Sequence, residues 1–128
     1  MLIQARPTTD PELATLIAAQ QPEPEDVQYL VGVVDGRAIA CGGLRALDAQ
    51  TGEITRVYVR PAFRGRGIAR QLLAALEEMA LGAGHTVLRM EMGADQSAAV
   101  ALSRSAGYVE RPDGPGRVRY EKHILVAA

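Results

Sequence analysis

Between Val57 and Ala69 a strand has to end and a helix has to begin. The run Val57-Tyr58-Val59 is β-branched and aromatic, which favours extended chain. Arg60-Pro61 stops it, because proline cannot donate to a continuing ladder. Arg64-Gly65-Arg66-Gly67 then frees the backbone to turn, and Ile68-Ala69-Arg70 opens a helix. The spacing of Ile68, Leu72, Leu76, Met79 and Ala80 predicts one apolar stripe on a helix over about Gly67 to Leu81. Gly82 and Gly84 lie where its C-terminus would be capped.

Such a junction has chemical consequences. The first N–H groups of a helix have no partner inside it and point outward, and the helix dipole adds partial positive charge. Such an end is a ready anion site, and Arg64, Arg66 and Arg70 would add donors for phosphate oxygens. Five arginines stand between Glu53 and Arg70 against the single acid Glu53, although the 128-residue chain carries a net charge of only -1. A near-neutral chain with one basic stripe points to an anionic ligand at one place, or to a solvated arginine-rich face. It does not point to bulk affinity for nucleic acid, and the 4% aromatic content leaves little to stack on bases. Two other glycine-rich phosphate motifs fail here. A Walker-type loop requires a lysine that this turn lacks, and a dinucleotide fingerprint requires a third glycine where Arg70 stands.

The rest of the chain places this junction. Leu2 to Arg6 reads as a strand ended by Pro7. Asp10-Pro11-Glu12 is a strong helix start, with an acid cap and proline at the first helical position. Leu13, Leu16 and Ile17 follow at helical spacing, and Gln21-Pro22-Glu23-Pro24 is a polar loop. Gln28 to Val34 and Arg37 to Leu47 read as strands joined at the hairpin signal Asp35-Gly36, with Gly42-Gly43 weakening the second or marking a bulge. Glu53 to Arg60 is a third strand. Its apolar phase slips between Ile54 and the pair Val57 and Val59, a slip that a bulge would repair. Thr86 to Met92 is a strand, and Ser97 to Ala106 a helix capped by Asp95 or Ser97. Tyr108 starts another strand, and Val118 to Val126 is the last. The order β-α-β-β-β-α-β-α-β-β is a mixed α/β pattern. With 48% apolar and 23% charged residues the chain reads as one ordered domain over residues 1–128.

Cys41 is the only cysteine, so the chain can form no internal disulfide, in keeping with a reducing compartment. Neither a signal-like apolar run nor a membrane-length one is present, and the expected localisation is cytoplasmic. His85 and His123 make no metal motif. Cys41 is either a buried small hydrophobe or, less in keeping with a strand that brings no nearby histidine, an acyl carrier.

Arg64, Gly67 and Ala69 match the [Q/R]-x-x-G-x-[G/A] signature of the GNAT superfamily of N-acetyltransferases, which the sequence resembles from roughly Val31 to Leu125. Val57-Tyr58-Val59-Arg60-Pro61, the segment Gln96 to Leu102 ending at Ala106-Gly107-Tyr108, and Arg119-Tyr120-Glu121-Lys122 add to the likeness. The resemblance implies an α/β (α+β) domain with a mixed, mostly antiparallel sheet of six to seven strands and helices on both faces. It also implies a parallel pair, Glu53–Arg60 and Thr86–Met92, that splays apart around acetyl-CoA, the acyl donor. Main-chain groups of Val57, Tyr58 and Val59 would pair with the pantetheine arm. Arg64, Gly65, Arg66, Gly67, Ile68, Ala69 and Arg70 would hold the pyrophosphate. Gln96 stands where such proteins usually have an asparagine at the start of the second cofactor-side helix.

For direct transfer to a primary amine, the resemblance implies Glu53 as general base, unless it is a strand-end acid paired with Arg45 or Arg56. Ser103 stands where the family commonly has a tyrosine that serves the departing thiolate. The proton would come through Ser103, from Tyr108 or Tyr58, or from solvent. The acceptor would be a small molecule or a peptide. The acidic residues Glu23, Glu25 and Asp26 either attract a cationic amine or are solvated. The short early region leaves the acceptor side open or completed by a second copy in a homodimer. The alternative is an acetyl-CoA-binding regulatory module without catalysis.

Overall fold

The computed structural model describes residues 1–17, 26–93, 97–112 and 117–124. In chain order they form β1 (Leu2–Arg6), α1 (Pro11–Ile17), β2 (Val27–Val34), β3 (Arg37–Ala46), β4 (Thr51–Val59), a 3-10 turn (Pro61–Phe63), α2 (Ile68–Gly82), β5 (Val87–Gly93), α3 (Ser97–Ser105), β6 (Val109–Pro112) and β7 (Arg117–His123). The seven strands form one sheet in the order β1-β2-β3-β4-β5-β7-β6. All neighbours pair antiparallel except β4 and β5. This is the mixed sheet expected, with the element order unchanged.

Local chemistry explains why the elements start where they do. Asp35 and Gly36 take φ of 50° and 76°, the doubly left-handed turn that matches strand twist in a two-residue hairpin. Asp10 caps α1: its Oδ2 accepts the Leu13 N–H at 2.9 Å. Arg6 Nη1 reaches both Asp10 and Glu12, at 3.2 and 2.8 Å, and Glu12 Oε2 accepts the Ala38 N–H at 2.8 Å. One short helix is thereby pinned to β1 and β3. The Leu13 N–H, then Arg6, hold the Asp10 carboxyl below its usual range. Arg6, then the Ala38 N–H, do the same for Glu12. A carboxyl depressed in the folded state stabilises the fold above its unfolded value and loses that contribution as pH falls through the depressed one. The anchorage of α1 is therefore expected to be complete above about pH 4.5 and to fade below about pH 4. Amide hydrogen exchange at Leu13 and Ala14, corrected for intrinsic rate, checks this, and equal protection at pH 6 and pH 3 contradicts it.

Two cores sandwich the sheet. Leu13 and Leu16 of α1 pack on Tyr29, Val31, Val33 and Cys41 on one face. Ile68, Leu72, Leu73, Leu76 and Ala80 of α2 pack on Leu44, Ile54, Leu88 and Tyr120 on the other. Ala99 and Leu102 of α3 join this second core. Helices therefore cover both faces, as expected.

The phase slip in β4 has a definite cause. Between Cys41↔Tyr58 and Gly43↔Thr55, β3 advances two residues and β4 three. The extra residue on β4 is a bulge, where Arg56 adopts a left-handed φ of 55°. Ile54, Val57 and Val59 thereby all meet the α2-side core despite their uneven spacing. Opposite the bulge, a Cβ on Gly42 would stand 2.8 Å from Leu76 Cδ1. The glycine is what lets α2 lie close to the sheet there.

Candidate active site

β4 and β5 begin as a parallel pair and then part. Their pairing covers Thr51↔Val87, Gly52↔Leu88 and Glu53↔Arg89 and goes no further. Beyond that point β4 stays with β3 while β5 stays with β7. The bulge at Arg56 bends β4 just past the last shared pair. A cleft of about 860 Å³ opens between the strands, walled by Ile54 to Val59 on one side and by Met90 and Glu91 on the other. Gly65, Gly67, Ile68, Ala69 and Arg70 close one end, and Ala98, Ala99, Leu102 and Ser103 of α3 lie across it.

The end of α2 that faces this cleft is built to take an anion. Gly67 is its N-cap, with φ 76° and no side-chain cap. The first backbone bond of the helix is Gln71 N–H to the Gly67 carbonyl at 3.1 Å. Helix geometry therefore leaves the preceding N–H groups without intrahelical acceptors. Gly65 also has a left-handed φ, 79°, and a Cβ on either glycine would meet nothing within 4 Å. The left-handed glycines thus turn the backbone toward the helix while leaving open space beside it, which a phosphate needs to approach main-chain N–H groups.

The arginines of this turn divide their work. Arg64 Nε donates to the Val59 carbonyl at 2.9 Å, and its guanidinium lies 5.6 Å from the centre of the Tyr58 ring. The Arg60 N–H bonds back to Ile39 on β3 at 2.9 Å, so by strand alternation the Val59 main chain faces the cleft edge. Arg64 therefore holds the mouth of the cleft in shape by occupying one of the main-chain acceptors assigned to the pantetheine arm. Arg70 reaches across to the Ser105 hydroxyl, tying the start of α2 to the end of α3. Arg66 stacks at 5.2 Å over Phe63 and is absent from the described residues that line the cleft.

Of the residues expected to do chemistry, Glu53 stands best. It is the last β4 residue paired with β5, it lines the cleft, and its Oε1 accepts from Arg45 Nη2 at 3.0 Å. Of the two readings open from the sequence, the pairing with Arg45 is present, and the same carboxylate stands at the cleft wall. Ser103 also lines the cleft, but it is buried and its Oγ donates to the Ala99 carbonyl at 2.9 Å, one turn back in its own helix. Tyr58 lines the cleft as well.

Tyr108 is not among the described residues that line the cleft. It is buried in the α2-side core, with Lys122 Nζ at 5.6 Å from its ring. Burial, with the Glu77 carboxylate adding to it, pushes its hydroxyl far above the usual tyrosine range. The hydroxyl has no hydrogen-bond partner among the described groups. Tyr108→Phe is accordingly expected to leave turnover within about twofold and to keep or raise stability by up to about 1 kcal/mol, since it deletes an unsatisfied buried group. Thermal melts and a thiol-release assay check this. A tenfold loss of turnover with a normal melt would restore Tyr108 to the chemistry.

Gln96 lies outside the described residues, as do Asp95, Glu23 and Glu25. Cys41 is buried, with Sγ 3.5 Å from the Arg56 carbonyl, and is not a described cleft residue. Glu91, an acid on the β5 wall, was not singled out from the sequence, although the alternation of buried Leu88 and Met90 with Arg89 and Glu91 carried the signal.

Fold and site together define a forked mixed sheet with an open, glycine-capped helix end at the fork. A model of the acetyltransferase (GNAT) family matches residues 2–108. The chain belongs to that family. It is 38% identical over 93 residues to an IAA acetyltransferase of Azospirillum brasilense, a match that covers 70% of this chain and 60% of that protein. A proposed acyl-CoA N-acyltransferase of Klebsiella pneumoniae superposes with a TM-score of 0.86 at 33% identity, over 97% of each chain. A GNAT family acetyltransferase of Elizabethkingia anophelis, solved with acetyl-CoA bound, superposes with a TM-score of 0.83 over 95% of this chain and 97% of that one. At 17% identity that likeness concerns the fold. No helix among the described residues is long and apolar enough to cross a membrane.

Proposed function

We propose that the chain is an acetyl-CoA-dependent N-acetyltransferase that acts on a primary amine of a small molecule or peptide by direct transfer. The observation that carries this reading is the fork: β4 leaves β5 immediately after Glu53, and the Gly67-capped end of α2 borders the gap. Family membership and the IAA acetyltransferase relative support it.

Bound acetyl-CoA would supply a thioester whose acyl carbon bonds to the amine nitrogen as its carbon–sulfur bond breaks, and coenzyme A would leave as a thiolate that takes up, directly or through solvent, the proton that nitrogen sheds on becoming an amide. The main chain from Gly65 to Arg70 would hold the pyrophosphate, using the helix end and the local arginines. Main-chain groups of β4 at Val57 and Val59 would take the pantetheine amides as a missing strand would, with Arg64, which holds the Val59 carbonyl, fixing that edge. Glu53 would take the proton that an ammonium acceptor must lose before it can attack. Its ion pair with Arg45 aims the carboxylate without burying it, since the side chain is 19% exposed.

A second reading, a coenzyme-binding module without turnover, is favoured by one observation. Ser103 spends its hydroxyl proton on Ala99, which leaves Tyr58 as the phenol among the described cleft residues. One experiment separates the two readings: calorimetry with acetyl-CoA, followed by amine-dependent thiol release over a panel of amines. Binding with amine-dependent release supports the enzyme. Binding without release supports the module, and absence of binding removes both.

A further inference from the structure

We propose that the acceptor is a small amine that also bears a carboxylate, an amino acid rather than a polyamine, and that arginines on the sheet face beside Glu53 receive that carboxylate. The inference rests on the acetyltransferase reading and adds its substrate class.

Strand register sets the charges on this face. Arg45, Glu53, Arg89 and Glu121 stand in one row across β3, β4, β5 and β7. Residues paired across strands share a face, and the alternate positions Ile54, Leu88 and Tyr120 are buried against α2. The charged row therefore lies on the opposite side of the sheet. The next row, two residues along, holds Glu91, Arg119 and Arg111. Four guanidinium groups thus share the face with three carboxylates. Both carboxylates that line the cleft have an arginine as register partner, Glu53 with Arg89 and Glu91 with Arg119.

The pairing within these rows is lopsided. Glu121 lies within ion-pair range of three arginines: Arg119 at 3.3 Å, Arg89 at 3.7 Å and Arg111 at 3.9 Å. Arg45 makes a short bond to the other carboxylate of its row, Glu53, at 3.0 Å. The Nε groups of Arg45, Arg89 and Arg119 are shielded and make no aligned hydrogen bond among the described groups, and those of Arg89 and Arg119 face Glu121 Oε1 only at ion-pair range. Charged donors held only by long or misaligned contacts are under-satisfied, and three arginines drawing on one carboxylate leave positive charge uncompensated. The three side chains keep 32%, 28% and 28% of their surface exposed, so part of each arginine, though not its Nε, is open to a ligand.

A carboxylate matches the donor fork of arginine, and a second cation does not. Neighbouring strands lie about 4.8 Å apart. An ammonium directed at Glu53 or Glu91 therefore has a guanidinium one strand away, within the span of an amino acid. A polyamine would instead bring further positive charge to a face already in cationic excess.

The test uses matched acceptors with the full chain and acetyl-CoA: alanine against alaninamide, lysine against cadaverine, and spermidine. Each acid is expected to show kcat/KM at least tenfold above its partner. The amine of alaninamide loses its proton more readily than that of alanine, so amine reactivity works against the expected result. Arg119→Gln is expected to bring the alanine-to-alaninamide ratio toward one through KM for alanine, with Arg119→Lys retaining part of the preference. A structural role for Arg119 would move both members of the pair together. Should acetyl-CoA bind but no amine turn over, calorimetric titration of the coenzyme A-loaded protein with alanine and alaninamide reads the same preference, and equal or weaker binding of alanine overturns the proposal. Equal or better use of alaninamide, cadaverine or spermidine overturns the substrate class alone. Failure of acetyl-CoA to bind overturns the acetyltransferase reading and this one with it.

Discussion

Gly67→Asp is expected to weaken acetyl-CoA binding about a hundredfold while the protein still folds. Gly67 has a φ of 76°, and a Cβ placed on it meets nothing within 4 Å, so a side chain there is strained but not crowded. Asp and Asn are the residues that best tolerate this conformation after glycine. A carboxylate at the N-cap would even suit the helix end by itself. What it cannot share is the space beside a diphosphate. Like charges about 5 Å apart repel by roughly 3 kcal/mol at an effective dielectric of about 20, which corresponds to about two orders of magnitude in affinity. Gly67→Asn has the same shape and no charge, so it isolates the two effects. The apoprotein melts of the two variants are expected to agree within a few degrees, while calorimetry shows acetyl-CoA binding far weaker in the aspartate variant. Equal affinities for Asp and Asn would mean that no phosphate sits against this helix end.

The helix end itself was legible because its signals are local. Proline after a strand, two glycines and an apolar stripe at helical spacing lie within one stretch of chain, and the structure starts α2 at Ile68 directly after Gly67. The same holds for the Asp10 cap and for the left-handed Asp35-Gly36 turn. The bulge was legible as a slip in apolar phase. Its position was not, because the residue with the left-handed φ is Arg56, a type that gives no local sign of it. Features that depend on register were in reach only across one hairpin, as for Glu53 and Arg45. Arg89 and Glu121 are far from that pair in sequence and join its row only when four strands are aligned. Tyr108 illustrates the same limit. Proton donor and packed aromatic were both open for it from the sequence, and the turn at Gly107, with φ 92°, precedes a tyrosine committed to the core beside Glu77 and Lys122. Whether a tyrosine lines a cleft or fills a core depends on the direction of one side chain, which no local pattern specifies.

Glu53→Gln is expected to lower kcat about a hundredfold or more at neutral pH, the range a positioned base contributes, with acetyl-CoA affinity nearly unchanged. Glutamine is the informative replacement because its amide oxygen can still accept the Arg45 Nη2 bond that Glu53 Oε1 takes at 3.0 Å. It keeps shape and removes only the ability to take a proton. The pH dependence then separates a base from a merely structural acid. Near pH 7 an aliphatic amine is almost wholly an ammonium ion, since such groups lose their proton near pH 10, and the enzyme must remove that proton. As pH approaches 10 the free amine arrives from solution and the base matters less. The gap between parent and variant is therefore expected to narrow by at least tenfold between pH 7 and pH 9.5. A deficit that stays constant across that range would assign Glu53 to holding Arg45 and the fork in place. The proton-accepting role would then fall to another acid on the cleft wall, for which Glu91 on β5 is the described candidate.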